Sequence, residues 1–98
     1  MNIVKQFAIN VKTNRIQSKY FKEVFVNQDT IQVGIKDGKI IIIPIKNDII
    51  KYEFEQRIIG SKNRITIPKS MFKELDINKN DILIVTLNKE KITFEKLK

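Results

Sequence analysis

Two of the three arginines in this 98-residue chain stand in the same phrase. Residues 12–16 read "KTNRI" and residues 62–65 read "KNRI", placing Arg15 and Arg64 49 positions apart, each between an asparagine and an isoleucine. A guanidinium is planar, permanently charged and forked, so it can grip a phosphate or the O6/N7 edge of a guanine with two hydrogen bonds. Lysines gather around both phrases: Lys12 and Lys19 in the first, Lys62, Lys69 and Lys73 in the second. An ammonium is a point charge that can neutralise a phosphate without reading a base. Asn14 and Asn63 suit tight turns better than adenine readout. The chemistry on offer is the capture of a polyanion.

Other chemistry is poorly provided for. The chain has neither histidine nor cysteine, which rules out the usual nucleophilic triads, common zinc sites and disulfides. Its three glycines, Gly34, Gly38 and Gly60, do not fall at a phosphate-loop or dinucleotide spacing. "DINKND" at 76–81 imitates the start of a calcium loop with Asp76, Asn78 and Asn80. The sixth position, however, is Asp81 rather than glycine, and the twelfth is Leu87 rather than glutamate. It reads as a polar turn after a helix. The carboxylates are scattered among lysines, as on a solvated face. Neither an enzyme, nor a cofactor, nor a metal is expected.

The net charge of +8 is unevenly distributed. Residues 1–22 and 56–73 together hold ten bases and no acid, and the rest of the chain holds nine bases and eleven acids. The whole positive excess therefore lies in two windows, the electrostatic footprint expected of a nucleic-acid ligand. No apolar run approaches the roughly 18 residues of a membrane span. The first ten residues also lack the pattern of a secretory signal. A cytoplasmic protein of bacterial, archaeal or viral origin is expected.

The two windows belong to a longer repetition. "NRI" at 14–16 returns at 63–65, "FKEV" at 21–24 returns as "FKEL" at 72–75, and Asp29 returns as Asp81, with offsets of 49, 51 and 52. "TIQVGI" (30–35) then corresponds to "ILIVTL" (82–87), and "KIII" (39–42) to "KITF" (91–94). An ordered series of matches with small changes of offset indicates duplication. Each copy reads as strand, basic turn, short strand, short helix and hairpin. In the second copy, Tyr52, Phe54 and Ile58 share a strand face. "RITIP" turns Ile65 and Ile67 inward and Arg64 and Thr66 outward, Pro68 opens a helix, and Met71 and Leu75 share its inner face. The first hairpin closes at Asp37-Gly38 and the second at "NKEK". Phe7, Phe21, Phe25, Phe54, Phe72 and Phe94 fall on apolar stripes and read as core. Short helices are expected near 19–25 and 69–75. A unit of about 45 residues buries too little apolar surface to stand alone, so each copy needs the other.

The second copy, "QRIIGSKNRITIPKSMFKELDINKNDILIVTLNKEKITF", resembles the swapped-hairpin DNA-binding domains of the AbrB/SpoVT/MazE superfamily. Arg64 stands at the motif arginine, Ile67-Pro68 at "IP", Leu75-Asp76-Ile77 at "LGI", and Asn80-Asp81 at the acidic turn. Arg57 matches a basic strand residue that such regulators place on DNA, and Lys73 matches a helix arginine. Asn63, Asp76 and Phe72 depart from the pattern. The first copy lacks "IP" and has Ala8 where the second has Arg57. The resemblance implies a mostly β, swapped-hairpin barrel closed by two ββαββ-like repeats, 1–46 and 50–98, in one domain. It implies a monomeric pseudo-dimer or a homodimer without cofactor.

Double-stranded DNA is the expected partner and an AbrB-like transcriptional regulator the expected function. Arg15 and Arg64 would read bases, while Arg57, Lys12, Lys19, Lys62, Lys69 and Lys73 would hold phosphates, the second copy dominating. The alternative is a protein-interaction module: an antitoxin, or a phage- or plasmid-encoded inhibitor. The sequence stops at "FEKLK", directly after its last expected strand, which on this reading favours the regulator over an antitoxin with a toxin-wrapping tail.

Overall fold

A computed structural model describes residues 3–23, 30–44, 56–59, 64–88 and 91–97. Among these residues lie eight strands and two short helices: β1 (Ile3–Asn10), β2 (Arg15–Gln17), a 3-10 helix (Lys19–Glu23), β3 (Thr30–Lys36), β4 (Lys39–Pro44), β5 (Gln56–Ile59), β6 (Arg64–Thr66), α1 (Lys69–Glu74), β7 (Ile82–Asn88) and β8 (Ile92–Lys96). The chain is mostly β, as expected, and the helices fall where "KYFKE" and "KSMFKE" place them. Among the described residues, no helix is long and apolar enough to cross a membrane.

Isoleucine-rich strands build the sheet because β-branched side chains pack well on a pleated surface. Six strands join in the order β1-β7-β8-β4-β3-β5, all antiparallel, and β2 pairs with β6 as a separate two-stranded ribbon. The two hairpins meet edge to edge through β4 and β8, where Ile41 faces Thr93. The outer partner of each hairpin comes from the other half of the chain: β1 lies on β7, and β5 lies on β3.

The expected closed barrel is not what forms. β1 and β5 each have a single neighbour among the described residues, so the sheet is open. The physical reason is local. After β1 and after β5 the chain leaves the sheet for β2 and β6, and these two pair with each other instead of the sheet edges closing together.

One core joins both halves. Val11, Ile16, Phe21, Ile31, Val33, Ile40 and Ile42 cluster with Ile65, Ile67, Met71, Phe72, Ile77, Leu83, Val85, Leu87, Ile92 and Phe94. Phe21 and Phe94 meet across the halves with ring centroids 6.2 Å apart. Phe7 packs against this cluster, so four of the six phenylalanines are core as expected, while Phe25 and Phe54 lie outside the described residues. Tyr52 does too.

The turns follow from their residues. Asp37 and Gly38 have φ of 54° and 75°, the paired positive values that a two-residue hairpin turn needs. Nothing lies within 4 Å of a Cβ placed on Gly38, so Gly38→Ala meets no clash. Its cost is purely conformational, and the variant should lose about 1–2 kcal/mol in a urea melt. After α1, Asp76 takes φ 54°. Its N–H donates to the Lys73 carbonyl at 3.2 Å, and the Ile77 N–H donates to that of Phe72 at 2.8 Å. This is a Schellman stop sealed by the buried Ile77–Phe72 pair, with aspartate at the left-handed position that usually takes glycine.

The "DINKND" segment is held by charge. The Asn78 N–H donates to Asp81 Oδ2 at 2.7 Å, and Lys96 Nζ stands 3.4 Å from the same carboxylate. Lys96 also donates to the Asp76 carbonyl at 2.6 Å, tying β8 to the turn. The Asn78 amide chiefly, with Lys96 adding to it and desolvation opposing, holds the Asp81 carboxyl below its ordinary range. A carboxyl with a lowered folded pKa contributes stability above its unfolded value, and that contribution is lost as pH falls through the folded value. Asp81→Asn should therefore lower the urea midpoint at pH 7. The gap from wild type should shrink below about pH 4.

Candidate nucleic-acid interface

The β2–β6 ribbon carries the arginine–isoleucine end of both repeated phrases. Ile16 faces Ile65 at its centre, Arg15 faces Thr66, and Gln17 faces Arg64. Strand alternation sends Ile16 and Ile65 into the core, at 3% and 0% exposure. It sends Arg15, Gln17, Arg64 and Thr66 to the opposite, exposed face. The two arginines thus sit diagonally on one surface, with Cα atoms about 7–8 Å apart. Residues 49 positions apart in sequence have become near neighbours.

The ribbon is anchored from both sides. The Ile67 N–H donates to the Asn14 carbonyl at 2.9 Å, and Asn14 Nδ2 donates to the Ile67 carbonyl at 2.7 Å. Asn14 therefore extends the pairing by one position. Its amide is engaged in holding the ribbon. The Arg15 N–H donates to Thr13 Oγ1 at 3.1 Å, tightening the basic turn before β2. Val11 exchanges backbone hydrogen bonds with the turn after α1: its N–H donates to Asp81, and its carbonyl accepts from Asn80, both at 2.8 Å.

Neither arginine enters an ion pair among the described residues, where the pairs are Lys39–Glu95, Lys96–Asp76 and Lys96–Asp81. The bland role open to Arg15 and Arg64, a surface salt bridge with a nearby glutamate, therefore has no partner there. Lys12 and Lys19 are exposed, as are Lys69 and Lys73, which stand one turn apart on α1. Lys12, Arg15 and Gln17 border a shallow concavity of about 440 Å³ beside β2. Arg57 occupies β5 opposite Gln32, and Ala8 occupies β1 opposite Ile84. Lys62 and Asn63 lie outside the described residues.

Some features escaped sequence reasoning. Lys5 Nζ lies 4.0 Å from the Tyr20 ring centroid and Lys19 Nζ lies 5.3 Å from it, while Phe7 packs on that ring at 5.5 Å. Tyr20 thus gathers two ammoniums of the first acid-free window onto one aromatic. No local signal announces a contact between β1 and the 3-10 helix. Gln17 was likewise silent, although the alternation around Ile16 carries it to the arginine face.

Two antiparallel hairpins, each flanked by a strand from the other part of the chain, and a two-stranded ribbon bearing Arg15 and Arg64 define a mostly β module. Residues 56–98 match the family model for antidote-toxin recognition MazE, bacterial antitoxin. That family belongs to the AbrB/MazE swapped-hairpin superfamily. The match begins at β5 and leaves residues 1–55 outside it. No curated protein and no solved structure matches the chain.

Proposed function

We propose that this chain is a double-stranded DNA-binding protein of AbrB/MazE type, two like halves in one chain, and that it contacts DNA through the outer face of the β2–β6 ribbon. The observation that carries the reading is the pairing of β2 with β6, which puts Arg15 and Arg64 on one exposed face beside Gln17 and Thr66. A two-stranded ribbon fits the major groove, where guanidinium groups can fork onto guanine. Lys12, Lys19, Lys69 and Lys73 would neutralise phosphates on either side.

The strand registers support the two-half reading. Adding 49 to positions in β1 and 52 to positions in β3 carries each half onto the other. The pair Ile31–Ile58 then maps onto Ile9–Leu83, Gln32–Arg57 onto Ala8–Ile84, and Val33–Gln56 onto Phe7–Val85. Ile16–Ile65 and Ile41–Thr93 map onto themselves. These offsets come from sequence matches, and the hydrogen-bond registers obey them.

Fluorescence anisotropy of labelled duplexes at several salt concentrations tests the function. Engagement of about four to six phosphates should give a slope of log K against log salt near −4 to −5. Affinity that ignores salt would refute it.

The family match favours a second partner, because the matched family is described by toxin recognition. On this reading the same module binds a toxin protein while its ribbon holds DNA. Co-purification with the product of an adjacent toxin gene tests it. A complex that survives nuclease treatment is the expected result, and separation of the two proteins the contrary one.

A further inference from the structure

The exposed face of the ribbon is a two-by-two array whose diagonals differ. Shifting by 49 residues exchanges Arg15 with Arg64 and Ile16 with Ile65, so the exchange axis passes through the central isoleucine pair. The same shift exchanges Gln17 with Thr66. One diagonal therefore repeats a guanidinium, while the other sets an amide against a hydroxyl. Opposed Cβ atoms across such a ribbon are about 4.5–5.5 Å apart. Alternate residues along a strand are about 6.6 Å apart, roughly two base steps at 3.4 Å.

We propose that Gln17 and Thr66 are base-reading residues that make the DNA site unequal in its two halves. This rests on the duplex-binding reading above. The carboxamide of Gln17 both donates and accepts, which suits the N6/N7 edge of adenine. Thr66 offers a methyl group to a thymine methyl and a hydroxyl that discriminates weakly. Arg15 and Arg64 supply guanine contacts at two-fold related positions. The preferred site is then a near-palindrome: matching guanines, with an adenine fixed on the Gln17 side only. Three observations point this way. Both side chains are exposed on the arginine face. The described hydrogen bonds involve neither side chain. Gln17 also borders the same concavity as Lys12 and Arg15, so amide and cations converge on one surface.

Selection from a randomised duplex library by wild type, Gln17→Thr and Thr66→Gln tests the proposal, with circular dichroism to verify folding. Both variants change exposed strand positions. Wild type should return a consensus with one unequal step. Gln17→Thr should lose adenine discrimination at that step by about 5- to 150-fold and return a palindrome. Thr66→Gln should return the other palindrome, with adenine on both sides. A palindromic wild-type consensus, or three identical consensuses, would overturn the assignment while leaving duplex binding intact. A wild type that enriches no sequence yet binds duplex with a steep salt dependence would overturn base reading alone. Absence of any duplex binding would remove both readings together.

Discussion

Residues 50–98, prepared alone, should not persist as a folded monomer. The fragment keeps its own hairpin but loses every strand supplied by the other half: β1 from β7, β4 from β8, β3 from β5 and β2 from β6. It also loses Val11, Ile16, Phe21, Ile31, Val33, Ile40 and Ile42 from the shared core. Burying one such side chain is worth about 1.5–3 kcal/mol. Seven of them, roughly 10–21 kcal/mol, are comparable to or larger than the roughly 5–15 kcal/mol by which a typical domain is stable. A fragment of this size, with no cysteine to form a disulfide, has little reserve. On the proposed two-half reading, two copies restore what is missing, each supplying the strands that the absent half would have given. Light scattering with circular dichroism should find a dimer or an unfolded chain. A well-folded monomer would contradict the two-half account.

Arg64→Ala should weaken binding to the preferred duplex by about 1–3 kcal/mol and relax its sequence preference. The loss is a base contact, so the slope against salt should change little. Lys69→Ala should act oppositely, lowering affinity for all duplexes alike and reducing the slope by about one. Arg15→Ala should cost less than Arg64→Ala. The two arginines occupy equivalent ribbon positions, but the second half adds Arg57 on β5 where the first has Ala8 on β1. Circular dichroism should be unchanged in all three, since these side chains are exposed. Anisotropy titrations at several salt concentrations separate the cases. Unchanged affinity in Arg64→Ala would remove the ribbon from the interface.

Local chemistry was legible in the sequence. Asp37-Gly38 announced its hairpin, Pro68 its helix, and the alternation in "RITIP" its inward and outward faces. Strand pairing was not: the apolar hairpins called for a partner, but which strands meet, β2 with β6 and β4 with β8, is set by contacts between distant segments. What local signals cannot carry is how a sheet ends. Whether β1 and β5 join depends on where the chain goes after each of them, and the ribbon takes it away from closure. The candidate site was half legible. Arg15 and Arg64 were visible as residues, but their position on one face required the β2–β6 pairing. Gln17 and the Lys5–Tyr20–Lys19 cluster emerged only from contacts between distant segments.

The central claim is that duplex DNA lies on the outer face of the ribbon, and amide chemical-shift mapping by NMR tests it most directly. On titration with a duplex, the largest perturbations should fall at Thr13–Gln17 and Arg64–Ile67, with smaller ones at Lys69 and Lys73. They should fade as salt rises. Perturbations centred on β7 and β8, with the ribbon unmoved, would contradict the account.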